Sequence, residues 1–121
     1  MLPLLHQPPY REFRHALEVL RETVSQGSLN PATLKSTVTD LQQVFQTQLL
    51  SSNLAELDPT VAQQVQSFQV ELDKQLRLLS MDALFWQAAK QSATVQQRQQ
   101  QVSDRLNILI RYCNALLGEE E

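Results

Sequence analysis

The chain has 121 residues, of which 42% are hydrophobic and 19% are charged, and its formal net charge is −3. This length suits one domain with a substantial core, and we predict a single helical domain over residues 1–121. Two glycines and five prolines are too few for the many turns of an all-β fold. The weak negative charge argues against a nucleic-acid partner, and the lack of an apolar run of about 20 residues argues against a membrane partner.

The N-terminal segment, residues 1–8, has prolines where a signal peptide needs an unbroken apolar run, and it has no basic start. We therefore expect a flexible segment at the beginning of a cytoplasmic protein. Cys113 is the only cysteine, which excludes an internal disulfide and fits a reducing compartment.

The first two helices are marked by prolines at their beginnings and by apolar residues at three- and four-residue steps. Pro8 and Pro9 begin the first helix, and Gly27 ends it. Asn30 and Pro31 provide the N-cap and first-turn proline of the second helix. The predicted buried stripes are Tyr10, Phe13, Leu17, Leu20 and Val24 in the first helix, then Leu34, Val38, Leu41, Phe45 and Leu49 in the second.

The third helix repeats the cap-plus-proline signal at Asp58-Pro59. No glycine or proline interrupts it before about Gln91, so we predict an unusually long helix. Its predicted buried stripe consists of Val61, Val65, Phe68, Leu72, Leu76, Leu79, Ala83 and Trp86.

The fourth helix is predicted to begin with a capping box made by Thr94 and Gln97. Gly118 ends it, and residues 119–121, all glutamate, are expected to form a frayed acidic tail. Its predicted buried stripe consists of Val95, Val102, Leu106, Leu109, Cys113 and Leu116.

Four amphipathic helices joined by short loops predict an all-α fold, an antiparallel up-down four-helix bundle. The third helix would be roughly 50 Å long at 1.5 Å per residue, against roughly 25–30 Å for each of the first two. We expect this excess length to appear as a projecting hairpin formed by the third and fourth helices. A kink near Ser80 would shorten the projection.

Few residues are candidates for chemistry. His15 lies opposite the first stripe, and the segment that follows it, Ala16 to Val19, lacks the lysine and glycine typical of phosphotransfer histidines. We therefore expect a surface histidine there. Cys113 lies within a stripe, where burial makes a thiol an inert core group. The His, Asp and Glu residues do not follow metal-ligand spacing, so we predict no enzyme, no metal and no cofactor.

The second half of the third helix is apolar on two faces. A second apolar set, consisting of Leu78, Met81, Phe85 and Ala88, lies on the side of the helix opposite the core stripe. Leu84 adds an apolar residue on the flank of this set. Contiguous exposed apolar patches usually mark interaction sites, so we predict that this set, with Leu84, binds a protein partner or a second copy of the chain. The alternative is that Leu2, Leu4 and Leu5 cover the set from within.

The C-terminal part contains the most distinctive sequence. It includes Lys-Gln-Leu-Arg-Leu-Leu-Ser-Met-Asp at 74–82, Gln-Ala-Ala-Lys-Gln at 87–91, Asp-Arg-Leu at 104–106 and Ile-Arg-Tyr-Cys at 110–113. In these segments the chain resembles the cyanobacterial PatD family, the heterocyst-frequency control proteins. The resemblance covers residues 74–117, whereas the first part of the chain matches only in length and helical pattern.

The resemblance implies a small cytoplasmic regulator of cell division and of heterocyst patterning, with the tubulin-like division protein FtsZ as its partner. It implies no enzymatic activity and no cofactor, and it assigns no binding residues. Two other functions stay open. One is a structural helical homodimer, or an adaptor for an unrelated protein, and the other is phosphotransfer through His15.

Overall fold

The computed structural model of the chain describes residues 1–27 and 29–119. Its four long helices are α1 (Pro8–Ser25), α2 (Pro31–Val44), α3 (Pro59–Ala88) and α4 (Ser92–Leu117). A π-helical turn, Phe45–Leu49, continues α2, and 3-10 turns lie at Leu4–His6 and Leu54–Glu56. The described residues include no strand, so the all-helical prediction is confirmed.

Capping explains where the helices begin and end. The Asn30 side chain accepts a hydrogen bond from the Thr33 amide, and Asp58 accepts one from the Thr60 amide, as the cap-plus-proline signals indicate. Gly118 ends α4 with a φ of 72°, a left-handed conformation that favours glycine. The predicted capping box of α4 is wrong. The helix begins at Ser92 after Gln91, which makes no side-chain cap, and α3 ends earlier than predicted.

The predicted stripes form the core. Every stripe residue of the first two helices is buried, and so are most of those of the last two. The three exceptions, which are half-buried and pack against the core, are Val61, Phe68 and Val95. Each fully buried Leu or Phe contributes about 1.5–3 kcal/mol relative to an exposed side chain, so this shared core stabilises the fold.

The order of the contacts shows that α4 runs antiparallel to both α1 and α3. Along α1 and α4, the side chain of Arg14 bonds to Asn114, that of Arg21 bonds to Asn107, and Gln99 donates to the Val24 carbonyl. Along α3 and α4, the contacts step from Phe68–Tyr112 through Asp82–Arg105 to Phe85–Arg98. The main packing contacts of α3 are with α2 and α4, whereas α1 packs chiefly on α4.

The excess length of α3 lies mainly at its beginning, not at the hairpin where we expected it. The Gln69 amide donates to the Leu49 carbonyl at 3.2 Å, so the end of the π-helical turn is level with Gln69. Residues 59–68, about 15 Å of helix, therefore extend past α2. The rest of α3 runs beside α2. The Gln99 amide donates to the Val24 carbonyl near the end of α1, so the turns of α4 that precede Gln99 extend past α1. The hairpin of α3 and α4 does not extend past α2. The helix is continuous at Ser80, without a break.

Leu2, near the beginning of the chain, and Glu119, the last described residue, both bond to the helices. The Leu2 amide donates to the Leu116 carbonyl at 3.0 Å, Gln7 donates to the Leu2 carbonyl at 2.8 Å, and Leu2 is buried. Leu2 and Gln7 are thus bonded within the structure, and the expected flexibility of residues 1–8 stays a prediction. Glu119 pairs with Arg11 and Arg14, and the hydrogen bonds from Arg14 and then Arg11 lower its pKa. The frayed tail stays a prediction: Glu119, its first residue, is paired with two arginines, and its other two residues lie outside the described residues.

Candidate functional site

The predicted partner-binding residues lie on one outward face of α3. Met81, Leu84 and Phe85 are 48%, 44% and 45% exposed, Ala88 is exposed, and Leu78 is half-buried. Their three- and four-residue spacing aligns them along a helix, and the set from 78 to 88 is about 15 Å long. We call Leu78, Met81, Leu84, Phe85 and Ala88 the α3 apolar patch.

The N-terminal leucines do not cover the α3 apolar patch. Leu4 and Leu5 are 80% and 93% exposed, and Leu2 is fixed beside Leu116 at the end of α4. The patch instead lies beside the beginning of α4, because the Arg98 guanidinium lies 4.9 Å from the centre of the Phe85 ring. Residues 98 and 116 of one helix are about 27 Å apart. The alternative of cover by Leu2, Leu4 and Leu5 is therefore wrong.

A buried polar network holds α3 to α4 beneath the patch. The Arg105 guanidinium donates from Nε to Asp82 at 2.9 Å and from Nη1 to Gln75 at 3.0 Å. Asp82 is only 4% exposed and Gln75 only 7%. A buried carboxylate needs such a partner, and a charged, planar pair fixes the orientation of the two helices. Trp86 is also buried on this inner side of α3. On the side of α3 opposite the patch, the helix is therefore joined to α4 by buried polar and apolar contacts.

No family model, no curated protein and no solved structure matches this chain.

The other residues considered for chemistry are not gathered into a site. His15 is exposed on α1, as expected, and lines a shallow surface groove with Glu18 and Glu22. Cys113 is fully buried, and this burial raises the pKa of its thiol to about 12. Among residues 1–27 and 29–119, no three His, Cys, Asp or Glu side chains are grouped so as to hold a metal ion. Within the same residues, no helix has both the length and the apolar content of a bilayer span.

Sequence reasoning missed three groups of buried polar residues. The first is the network of Gln75, Asp82 and Arg105. The second is Gln69, whose amide donates to the Tyr10 hydroxyl at 2.9 Å, and the third is Gln7, whose amide donates to the Leu2 carbonyl. The signal was present: residues 75, 79, 82 and 86 follow the spacing of a buried stripe, although two of them are polar. Polar residues at such positions do not belong to the predicted apolar stripe. Their partners on other helices are not visible in the spacing.

Proposed function

We propose that the chain is a non-enzymatic, cytoplasmic regulator of cell division and of heterocyst frequency in cyanobacteria, and that it acts by binding FtsZ through the α3 apolar patch. The observation that carries the proposal is the exposure of Met81, Leu84 and Phe85 on a helix whose inner face is fully packed. The resemblance of residues 74–117 to the PatD family supports the identity of the partner.

The patch suits protein binding for energetic reasons. Fully burying one such side chain is worth about 1.5–3 kcal/mol, so burying the exposed half of each is worth about 1 kcal/mol. Three side chains together would strengthen binding by roughly two orders of magnitude. A helix held by a packed core loses little conformational freedom on binding, which preserves most of that gain. Aromatic and Met side chains are also the types enriched at the centres of interfaces.

The test is co-sedimentation of the purified chain with FtsZ polymers, for the wild type and for the double variant Met81→Glu/Phe85→Glu. We expect the double variant to retain its helical circular dichroism spectrum, because both side chains point away from the core. We expect its FtsZ binding to weaken at least about tenfold, because two apolar contacts are lost and two charges must be desolvated. A wild-type chain that does not sediment with FtsZ, or a folded double variant that binds equally well, would contradict the proposal.

A structural homodimer, or an adaptor for an unrelated protein, is the second candidate, because the same exposed side chains could be covered by another molecule. Sedimentation equilibrium separates these functions. A dimer mass that falls to the monomer mass in Met81→Glu/Phe85→Glu supports the homodimer. A monomer at every concentration leaves the patch open for a different protein.

A further inference from the structure

The charges of the chain are divided unevenly between its segments. Residues 74–117 contain six basic and two acidic residues, a net charge of +4, whereas the rest contains four basic and eleven acidic residues, a net charge of −7. The whole chain is therefore weakly acidic, although the second half of α3 and the whole of α4 are basic. The α3 apolar patch lies within the basic part.

Three cations surround the patch without a carboxylate of their own. The guanidinium of Arg98 lies over the Phe85 ring and donates to the Gln101 side-chain oxygen at 3.3 Å. Lys74 precedes Met81 by two helical turns on the same face, and Lys90 follows the end of α3; both are exposed. In the described part of the chain, none of these three forms an ion pair.

Nearby acidic side chains form no ion pair with these three cations in the part of the chain that the structure describes. Asp82 is the only acidic residue between positions 74 and 98, and it is buried against Arg105 at 2.9 Å. Asp73 is paired with Arg77 at 2.8 Å. Glu71, which is half-buried, lies two turns before Leu78 and three residues before Lys74, so its charge offsets that of Lys74 although the two form no ion pair among the described residues. At the C-terminal end of the patch, Lys90 and Arg98 therefore have no ion-pair partner among the described residues.

We infer that the α3 apolar patch receives an acidic amphipathic helix of the partner, with apolar residues along one face and Asp or Glu beside them. A stripe about 15 Å long on a convex helix matches about three turns of a second helix, which can pack along it. Carboxylates on the flanks of that helix would meet Lys74, Lys90 and Arg98. Two copies of this chain placed patch to patch would instead oppose like charges. The inference deepens the proposed function by specifying the chemistry of the partner segment at the same face.

The test uses two synthetic amphipathic helices of about 18 residues, labelled with fluorescein. Both have leucine at the three- and four-residue positions of one face, and the remaining positions are mostly Glu in one and mostly Lys in the other. Fluorescence anisotropy should show at least about tenfold tighter binding of the Glu helix to the wild type. Raising the salt from about 50 mM to about 500 mM should weaken that binding, because screening reduces the attraction between exposed charges.

Two charge-matched variants locate the effect. Lys90→Gln/Arg98→Gln removes two cations beside the patch, and Lys35→Gln/Arg111→Gln removes two exposed cations elsewhere. We expect the first pair to weaken binding of the Glu helix at least about threefold, and the second pair to change it little. Met81→Glu/Phe85→Glu should abolish binding of the Glu helix.

The inference is overturned if the Lys helix binds as tightly, if neither helix binds, or if both charge-matched variants behave alike. It is also overturned if the wild type forms a dimer through the patch, because a second copy would then be the occupant.

Parallel FtsZ co-sedimentation separates this inference from the proposed function. Binding of the Glu helix without FtsZ binding supports the inference and contradicts FtsZ as the partner. If FtsZ binding is lost in Met81→Glu/Phe85→Glu but unchanged in Lys90→Gln/Arg98→Gln, the result supports the proposed function and contradicts the inference of an acidic partner helix.

Discussion

The two halves of α3 bury the same kind of stripe but present different outward faces. In the first half the outward positions are mostly polar, including the exposed residues Gln63, Gln64, Gln66 and Ser67. In the second half they include Met81, Leu84 and Phe85, each nearly half exposed. Val70, between them, is a single exposed apolar residue of the kind that needs no explanation. The first half of α3 therefore packs its buried stripe behind a mostly polar outward face. The apolar one has a different cause, which we propose is a partner.

The two halves also differ in the polar groups that they bury. The first half buries Gln69, a neutral amide that joins α3 to the Tyr10 hydroxyl and the Leu49 carbonyl. The second half buries Asp82, whose charge is compensated by Arg105. A charged pair is less tolerant of losing one partner than a neutral hydrogen bond is. We therefore expect the support of the α3 apolar patch to be the more sensitive of the two.

The largest expected effect on stability comes from Arg105→Met. This change leaves the Asp82 carboxylate buried without its cation and should lower the free energy of unfolding by roughly 3 kcal/mol. Chemical denaturation followed by circular dichroism measures the change. Arg111→Met, on an exposed face of the same helix, is the control and should alter stability by less than about 0.5 kcal/mol. An equal effect of the two substitutions would show that the buried pair does not hold α3 to α4.

The comparison of the two buried polar groups predicts a smaller loss of unfolding free energy for Gln69→Leu than for Arg105→Met. The substitution removes the donor to both the Tyr10 hydroxyl and the Leu49 carbonyl, and we expect a loss of roughly 1–2 kcal/mol. Combining it with Tyr10→Phe should cost less than the sum of the two single changes, because both remove one shared hydrogen bond. Strict additivity in this double-mutant cycle would indicate that the hydrogen bond contributes nothing measurable.

The smallest expected effect on stability concerns Cys113, which faces the core on α4. Burial raises the pKa of the Cys113 thiol from its ordinary value of 9.0 to about 12, so between these values the folded thiol keeps its proton while the unfolded thiol loses it. The thiol's contribution is complete below the unfolded pKa, and the unfolding free energy falls by about 1 kcal/mol as pH rises to about 10. Denaturation at several pH values measures this fall for the wild type and for Cys113→Ala, whose unfolding free energy should fall less between the same pH values. An equal fall in both proteins would indicate that the wild-type thiol is exposed to water.

Much of the fold could be predicted because its determinants are local. The caps at Asn30 and Asp58 and the stop at Gly118 are short-range signals, and the apolar stripes report burial directly. The position of the excess length of α3 could not be predicted in the same way. It depends on how α2 and α3 are aligned, which the Gln69–Leu49 hydrogen bond fixes and which helix lengths alone do not.

Two further features depend on contacts between distant parts of the chain. The first eight residues lack any pattern that predicts a fixed structure, and it is the contact with the other end of the chain that buries Leu2 and bonds it to Leu116. The spacing within α4 does not reveal the partner of Arg105, because its hydrogen bond to Asp82 joins two helices across 23 positions of the chain. The α3 apolar patch itself was predictable, since its residues exceed what one buried stripe requires. Its binding role stays a prediction.

The most direct test of the proposed role compares matched charge changes in the two halves of α3. Met81→Glu/Phe85→Glu and Gln63→Glu/Ser67→Glu each add two negative charges at exposed positions four residues apart. Biolayer interferometry with immobilised FtsZ, together with thermal unfolding of each variant, measures binding and stability separately. We predict that both variants stay folded, that the first raises the Kd at least about tenfold and that the second leaves it nearly unchanged. Equal effects of the two folded variants on the Kd would contradict the assignment of partner binding to the α3 apolar patch.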